Sequence, residues 1–372
     1  MSSGDADFSA YRAAGVDYEV LDAGKRLAMA RALATSPLMA GRGATALDES
    51  RGEPAFVFEL AGRTLAFVVE GLGTKSMIAR AVFETAGVNR FADVAYDTVA
   101  AIVNDLCCVG ALPLVVNAYF ATGSSAWYEK PGPSQALVEG WHRACVDAGA
   151  TWGGGESPSL PGLLAEGDIE LAGAAVGALP PGRGAILGAD LAAGDEIVLV
   201  AASGLHANGA SLARFHAGRL PAGYATALPS GASFGEALLE PSIIYVPLVA
   251  ALLERGVPVT YLSHITGHGL LKLMRPSREL TYRIASLPPV PEVLAFLAEQ
   301  AELDPAAAYS TFNMGAGFAV YVAAGEGERV VEIAGELGFD ALLAGGVEEG
   351  PRSVELEPLG VRFSSDQLEL SA

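Results

Sequence analysis

The first helical pattern in the chain runs from Arg26 to Ala34, where Leu27, Ala30, Arg31 and Ala34 share a face before Thr35-Ser36-Pro37 ends it. Ala55–Leu60 and Thr64–Val69 then read as strands around the turn Ala61-Gly62-Arg63. Thr98–Cys108 reads as a helix stopped by Gly110 and Pro113, and Leu114–Phe120 as a strand. Ser134–Ala148 follows as a helix and Ile169–Leu179 as a strand. A junction, Pro180-Pro181-Gly182-Arg183-Gly184, interrupts the pattern. Beyond it come strands at Glu196–Ala201 and Gly317–Val322, and helices over Ala210–Phe215, Tyr245–Arg255, Val293–Gln300 and Val330–Leu337. Strands and helices mix without a strict βαβ rhythm, which predicts an α+β fold in two units, 1–182 and 183–372.

Composition narrows the partners. The formal charge is −20, and the only lysines are Lys25, Lys75, Lys130 and Lys272. Such a surface repels a phosphate backbone, which argues against a nucleic-acid partner. A small phosphate ligand would need metal ions, backbone N–H groups and a few placed cations. The mean hydropathy of +0.36 raises the question of a membrane span. The best candidate, Val94–Ala121, is interrupted by Asp97, Asn104 and Asp105, so no span is expected. Three cysteines, with Cys107 and Cys108 adjacent, fit neither a disulfide framework nor ordinary zinc spacing, and a cytoplasmic setting is expected.

Several clusters could carry chemistry. Glu70-Gly71-Leu72-Gly73-Thr74-Lys75 follows an apolar strand: its glycines allow close backbone approach, Thr74 offers a hydroxyl, Lys75 a charge for phosphate and Glu70 a metal ligand. A solvated surface turn is the plain alternative. Asp97, Asn104 and Asp105 break the most apolar stretch, and on a helix Asp97 and Asn104 lie within about 20° of each other, with Asp105 about 80° away. Carboxylates buried there need partners or a metal, although an N-cap and a surface ion pair would also account for them. Gly153-Gly154-Gly155-Glu156 is either a ligand-approach loop or a tight turn. His206 and Asn208, in the loop after the Glu196–Ala201 strand, could converge on a polar substrate. In His264-Ile265-Thr266-Gly267-His268-Gly269 the glycines argue against a zinc helix and for a phosphate loop.

In order and spacing these clusters resemble the phosphoribosylformylglycinamidine cyclo-ligase, or aminoimidazole ribonucleotide synthetase, family. The likeness extends to Ala14–Asp17, Tyr119–Gly123, Gly154–Gly162, Glu240–Val246 and Thr311–Gly315. It implies an N-terminal domain that forms a β-barrel in a homodimer, a C-terminal α/β sandwich domain, and ATP and a phosphorylated ribonucleotide between them. It implies Mg²⁺ held by Glu70, Asp97 and Asp105, with His206, Asn208 and Lys75 in the chemistry. Nucleotide contacts would fall to Gly71, Gly73, Thr74, Lys75, Asn104, Gly154, Gly155, Glu156, Thr266 and Gly267. The implied reaction phosphorylates a formamide oxygen and closes a ring by intramolecular amidine attack. The chain departs from the family where Glu70 replaces Asp, Ala118 replaces Asp, Ser157–Leu160 replaces Thr-Ala-Glu-Met, and His268 replaces Gly. A kinase or synthetase of the same superfamily, or a silent nucleotide-binding paralogue, is the alternative.

Overall fold

Two mixed sheets, one in each half of the chain, carry the architecture of the computed structural model, which describes residues 18–129 and 131–368. The first half contains α1 (Tyr18–Leu33), β1 (Ala44–Leu47), β2 (Phe56–Leu60), β3 (Arg63–Gly71), α2 (Lys75–Ala86) and α3 (Phe91–Cys107), followed by β4 (Leu112–Thr122), α4 (Pro133–Asp147), β5 (Thr151–Glu156) and β6 (Ile169–Ala178). Its six strands lie in the order β1-β2-β3-β6-β4-β5, antiparallel except for β4 and β5.

Residue types explain how this sheet meets its helices. On β6, Gly173 and Gly177 face α3 so closely that an added Cβ would come within 2.8 Å of Ile102 and 2.7 Å of Leu106. The α3 helix therefore sinks onto the strands, with Val99, Ile102, Val103 and Leu106 fully buried. The opposite face is apolar and bare: Phe67, Val69, Val115 and Tyr119 are all exposed. Register aligns Phe67 with Val176 and Val176 with Val115 across three strands.

The second half contains β7 (Glu196–Ala201), α5 (Ala210–Ala217), α6 (Phe234–Leu238), α7 (Val246–Glu254), β8 (Val259–His264), β9 (Leu280–Ile284) and α8 (Glu292–Gln300), then α9 (Pro305–Thr311), β10 (Ala316–Val322), α10 (Gly327–Glu336), β11 (Ala341–Glu349), β12 (Ser353–Leu356) and β13 (Val361–Ser364). The seven-stranded order is β13-β12-β9-β11-β7-β10-β8, with only β12 and β9 parallel. All seven residues of β10 are buried, as its unbroken apolar run Ala316–Val322 requires.

The α+β expectation holds. Neither sheet closes into a barrel within one chain, so β1 and β5 remain edges of the first sheet among the described residues. The helix expected from Thr98 starts at Phe91, whose N–H bonds to the Asn89 side chain, so Asp97 is mid-helix rather than an N-cap. The apolar stretch Val94–Ala121 is divided between α3 and β4, and no helix among the described residues is long and apolar enough to cross a membrane. Ala14–Asp17 and Lys130 lie outside the described residues, as does the Lys25 side chain.

Candidate active site between the two sheets

The two halves meet where the end of β3, the start of α2 and the buried flank of α3 face the loop after β7, the segment 240–245 and the end of β8. Two polar clusters occupy this seam, one toward each end of α3.

The first is closed. Lys75, the opening residue of α2, and Asp97, on α3, are fully buried, with Nζ 2.5 Å from Oδ2. Lys75 Nζ also donates to the His206 carbonyl at 2.9 Å, and Asp97 Oδ1 accepts the Ser242 N–H at 2.6 Å. His206 sits in the left-handed region at φ 57°, which is costly for any residue with a Cβ. Its Nε2 accepts the Ser203 N–H at 3.1 Å, so the ring proton is on Nδ1, a buried atom with no hydrogen-bond partner. Burial, then the nearby charges of His264 and Lys75, push this imidazole well below its usual range and keep it neutral.

The second cluster is mostly buried but keeps some exposure, 14% at the Asp105 side chain and 3% at His264. Asp105, one turn from the end of α3, meets His264 Nδ1 at 2.6 Å, and Glu70 at the end of β3 shares a hydrogen bond with Asp105. Burial first, and then the neighbouring Asp105 charge, push Glu70 up to about 7. Burial acts on Asp105 in the same direction, but the hydrogen bond and charge of His264 and the charges of Lys272 and Arg275 outweigh it, and that carboxyl lies below its usual value. Lys272 is buried and donates to Thr266 Oγ1, and burial lowers it to about 8. Two carboxylates held together in this way share a proton, and the same oxygens suit a small hard divalent cation in the proton's place.

The structure thus unites Glu70 with Asp105 but not with Asp97, both of whose oxygens are engaged elsewhere. Among the described residues no three His, Cys, Asp or Glu side chains converge on one metal position. Asn104 is likewise committed: its amide donates to Ile243 O and accepts from Tyr245 N–H, both at 2.8 Å. Thr74 faces Ser211 at 3.3 Å beside Gly73, which has φ 69°. Asn208 donates to Thr311 O at 3.1 Å. Thr266 and Gly267 lie in the loop leaving β8, next to Lys272.

Gly154, Gly155 and Glu156 are elsewhere. Register places Gly155 beside Ala118, Ala118 beside Gly173 and Gly173 beside Glu70, three strand spacings away, or roughly 14 Å. The glycine run is a strand rather than a loop. A Cβ at Gly153 would lie 2.5 Å from Asn117 Oδ1, and one at Gly155 2.1 Å from the Ala118 carbonyl, so pairing with β4 demands glycine. His264, expected only as part of a glycine-rich phosphate loop, is instead the partner of Asp105, and Lys272 carries no role in the sequence pattern beyond the scarcity of lysine. Cys107 and Cys108 are buried and donate to Asn104 O, and burial raises both thiols.

Comparison with known proteins agrees across both halves. Residues 52–179 match the family described as AIR synthase related protein, N-terminal domain, and residues 192–356 match its C-terminal domain. Phosphoribosylformylglycinamidine cyclo-ligase of Anaeromyxobacter sp. (strain Fw109-5) is 36% identical over 354 residues, covering 91% of this chain and 96% of that protein. The Sorangium cellulosum protein of that name is 36% identical over 353 residues, covering 91% and 94%. The Methanobrevibacter smithii one is 32% identical over 286 residues, covering 76% and 79%. Among solved structures, the HypE–HypF complex has a TM-score of 0.59 at 17% identity, covering 85% of this chain and 93% of that one. AaThiL complexed with AMPPCP and TMP gives 0.57 at 16%, covering 84% and 90%. At those identities the structures speak to the fold alone. The whole-length sequence relatives and both domain matches place the chain in the AIR synthase family, to which the phosphoribosylformylglycinamidine cyclo-ligases belong.

Proposed function

We propose that this protein is an ATP-dependent cyclo-ligase that converts formylglycinamidine ribonucleotide to aminoimidazole ribonucleotide with release of ADP and phosphate. The observation that carries the reading is the pairing, in one seam, of a carboxylate pair that keeps some exposure with a buried neutral histidine whose Nδ1–H has no protein partner. In the reaction the formamide oxygen takes the γ-phosphoryl group of ATP. An amidine nitrogen of the same molecule attacks the formyl carbon, the C–O bond breaks with phosphate leaving, and the nitrogen gives up its proton. Nucleophile and electrophile share one molecule, so positioning and charge neutralisation supply most of the rate.

Glu70 and Asp105 are the residues we assign to Mg²⁺, which usually keeps one or two carboxylates and completes its shell with water and phosphate oxygens. Bound there it would offset phosphate charge that this acidic chain has few cations to meet. The backbone at Gly71, Gly73 and Thr74, at the start of α2, and at Thr266 and Gly267, beside Lys272, would meet a nucleotide's phosphates. His206 Nδ1–H would donate to the reacting formamide group, and Asn208 Oδ1 would accept from the amidine. We assign 1–182 to the nucleotide and dimer domain and 183–372 to the substrate domain, in a cytoplasmic enzyme. The bare apolar face around Phe67, Val69, Val115 and Tyr119 supports a homodimer in which two such sheets complete a barrel.

The test is direct. Purified protein given ATP, Mg²⁺ and formylglycinamidine ribonucleotide should release ADP and phosphate only when all three are present. Turnover with another acceptor alone would make it a kinase or synthetase of the superfamily, and ATP binding without turnover a silent paralogue.

A further inference from the structure

Lys75 and Asp97 are costly to bury, and nothing in their contacts reaches toward a ligand: both side chains have no exposed surface. Their partners point elsewhere. The ammonium of Lys75 grips the carbonyl of His206, 131 residues away, at 2.9 Å. Asp97 Oδ1 takes the N–H of the peptide joining Pro241 to Ser242, at 2.6 Å. The carbonyl of that same peptide accepts Ser203 Oγ at 2.5 Å, and the Ser203 N–H donates to His206 Nε2 at 3.1 Å. With the Lys75–Asp97 ion pair at 2.5 Å the contacts close on themselves. His206 is held at two points, its carbonyl from the first half of the chain and its ring from the second.

We propose that this closed ring is a positioning device, in which Lys75 and Asp97 hold His206 in its strained backbone conformation and fix its ring as the Nδ1–H tautomer only when the two halves of the chain are in register. Lys75 is thus a positioning residue rather than a phosphate ligand. The left-handed φ of 57° persists because an ammonium holds the carbonyl that this conformation turns toward α2. The tautomer is set because Nε2 is already an acceptor. The burial of two charges becomes intelligible, since their role is to connect a loop of one half to two helices of the other. The inference rests on the catalytic reading of His206 for its importance, not for its geometry.

The experiment uses the full-length protein carrying Lys75→Met, and also Lys75→Met/Asp97→Leu, because removing both charges together avoids leaving one buried and unpaired. Histidine ¹⁵N resonances are resolvable with five histidines in the chain, and His206→Gln assigns the one in question. The wild type should show a single neutral Nδ1–H tautomer at His206, and the paired variant a mixture. ATP affinity should stay within about twofold, kcat should fall about 100-fold, and His206→Ala added to the paired variant should cost little more. Unchanged His206 ring signals overturn the proposal whatever the activity. So does an ATP affinity weakened about tenfold or more at unchanged kcat, the behaviour of a lysine on phosphate. Full activity in His206→Ala alone would remove the catalytic reading, and the ¹⁵N signals would still decide whether the ring exists.

Discussion

Asp97 and Asp105 stand on the same helix, two turns apart, and invite the same interpretation, yet their surroundings separate them. Asp97 is sealed without exposure, its Oδ1 accepting a backbone N–H and its Oδ2 ion-paired with Lys75. Asp105 keeps some exposure, holds His264 and shares a proton-bearing contact with Glu70. A buried acid held by an ion pair and a backbone N–H has its charge met within the protein. One that keeps some exposure beside a second carboxylate is where a cation would be accepted in place of the shared proton. What tells them apart is the partner that tertiary packing brings, which no spacing along the helix reveals.

The largest effect should come from breaking the sealed end. Asp97→Asn leaves the Lys75 charge buried and uncompensated and should cost about 3–5 kcal/mol of stability, measured by urea unfolding. Glu70→Gln, at the open end, should stay within about 1 kcal/mol. Equal losses would erase the distinction between the two ends.

The next effect is one of pH. Glu70 keeps its proton up to about 7 in the folded protein against 4.5 ordinarily, so between those values the native state binds the more protons and stability falls as pH rises. A cation taking the proton's place should release it, so Mg²⁺ binding should liberate protons in that window and little above it. Calorimetry in buffers of differing ionisation enthalpy measures this, and Glu70→Gln should abolish it. The smallest effect sharpens the same point. Lys272 lowers Glu70 through its charge, so Lys272→Met should move the proton-release profile to higher pH. An unmoved profile would show that Lys272 does not act on the pair.

Much of the fold was legible where one kind of force dominates. The β7 strand appears at Glu196–Ala201 as expected, because its interior is a continuous apolar run buried on both sides. The α2 helix was missed because it buries Lys75 and Ser76 beside Ile78, Ala79 and Val82, which spoils the apolar period. The β5 strand was taken for a loop or turn because its glycines answer a steric demand from β4 that only pairing reveals. At the site, Glu70, Asp105, His206 and Asn208 stood out as polar residues in apolar or glycine-rich settings. Lys272 did not, and His264 stood out only within a glycine-rich loop, since their meaning comes from acids 159 and more residues distant, across the seam between the halves. The three acids that the likeness would bring to one metal lie as a Glu70–Asp105 pair and an Asp97–Lys75 ion pair for the same reason.

The central claim is that the open end, and not the sealed one, receives the cation. Calorimetric titration of Mg²⁺ into the protein with a non-hydrolysable ATP analogue, comparing Glu70→Gln/Asp105→Asn with Asp97→Asn, tests it most directly. The account predicts that the double variant loses cation-dependent nucleotide binding while folded Asp97→Asn retains it. Retention by the former and loss by the latter would contradict it.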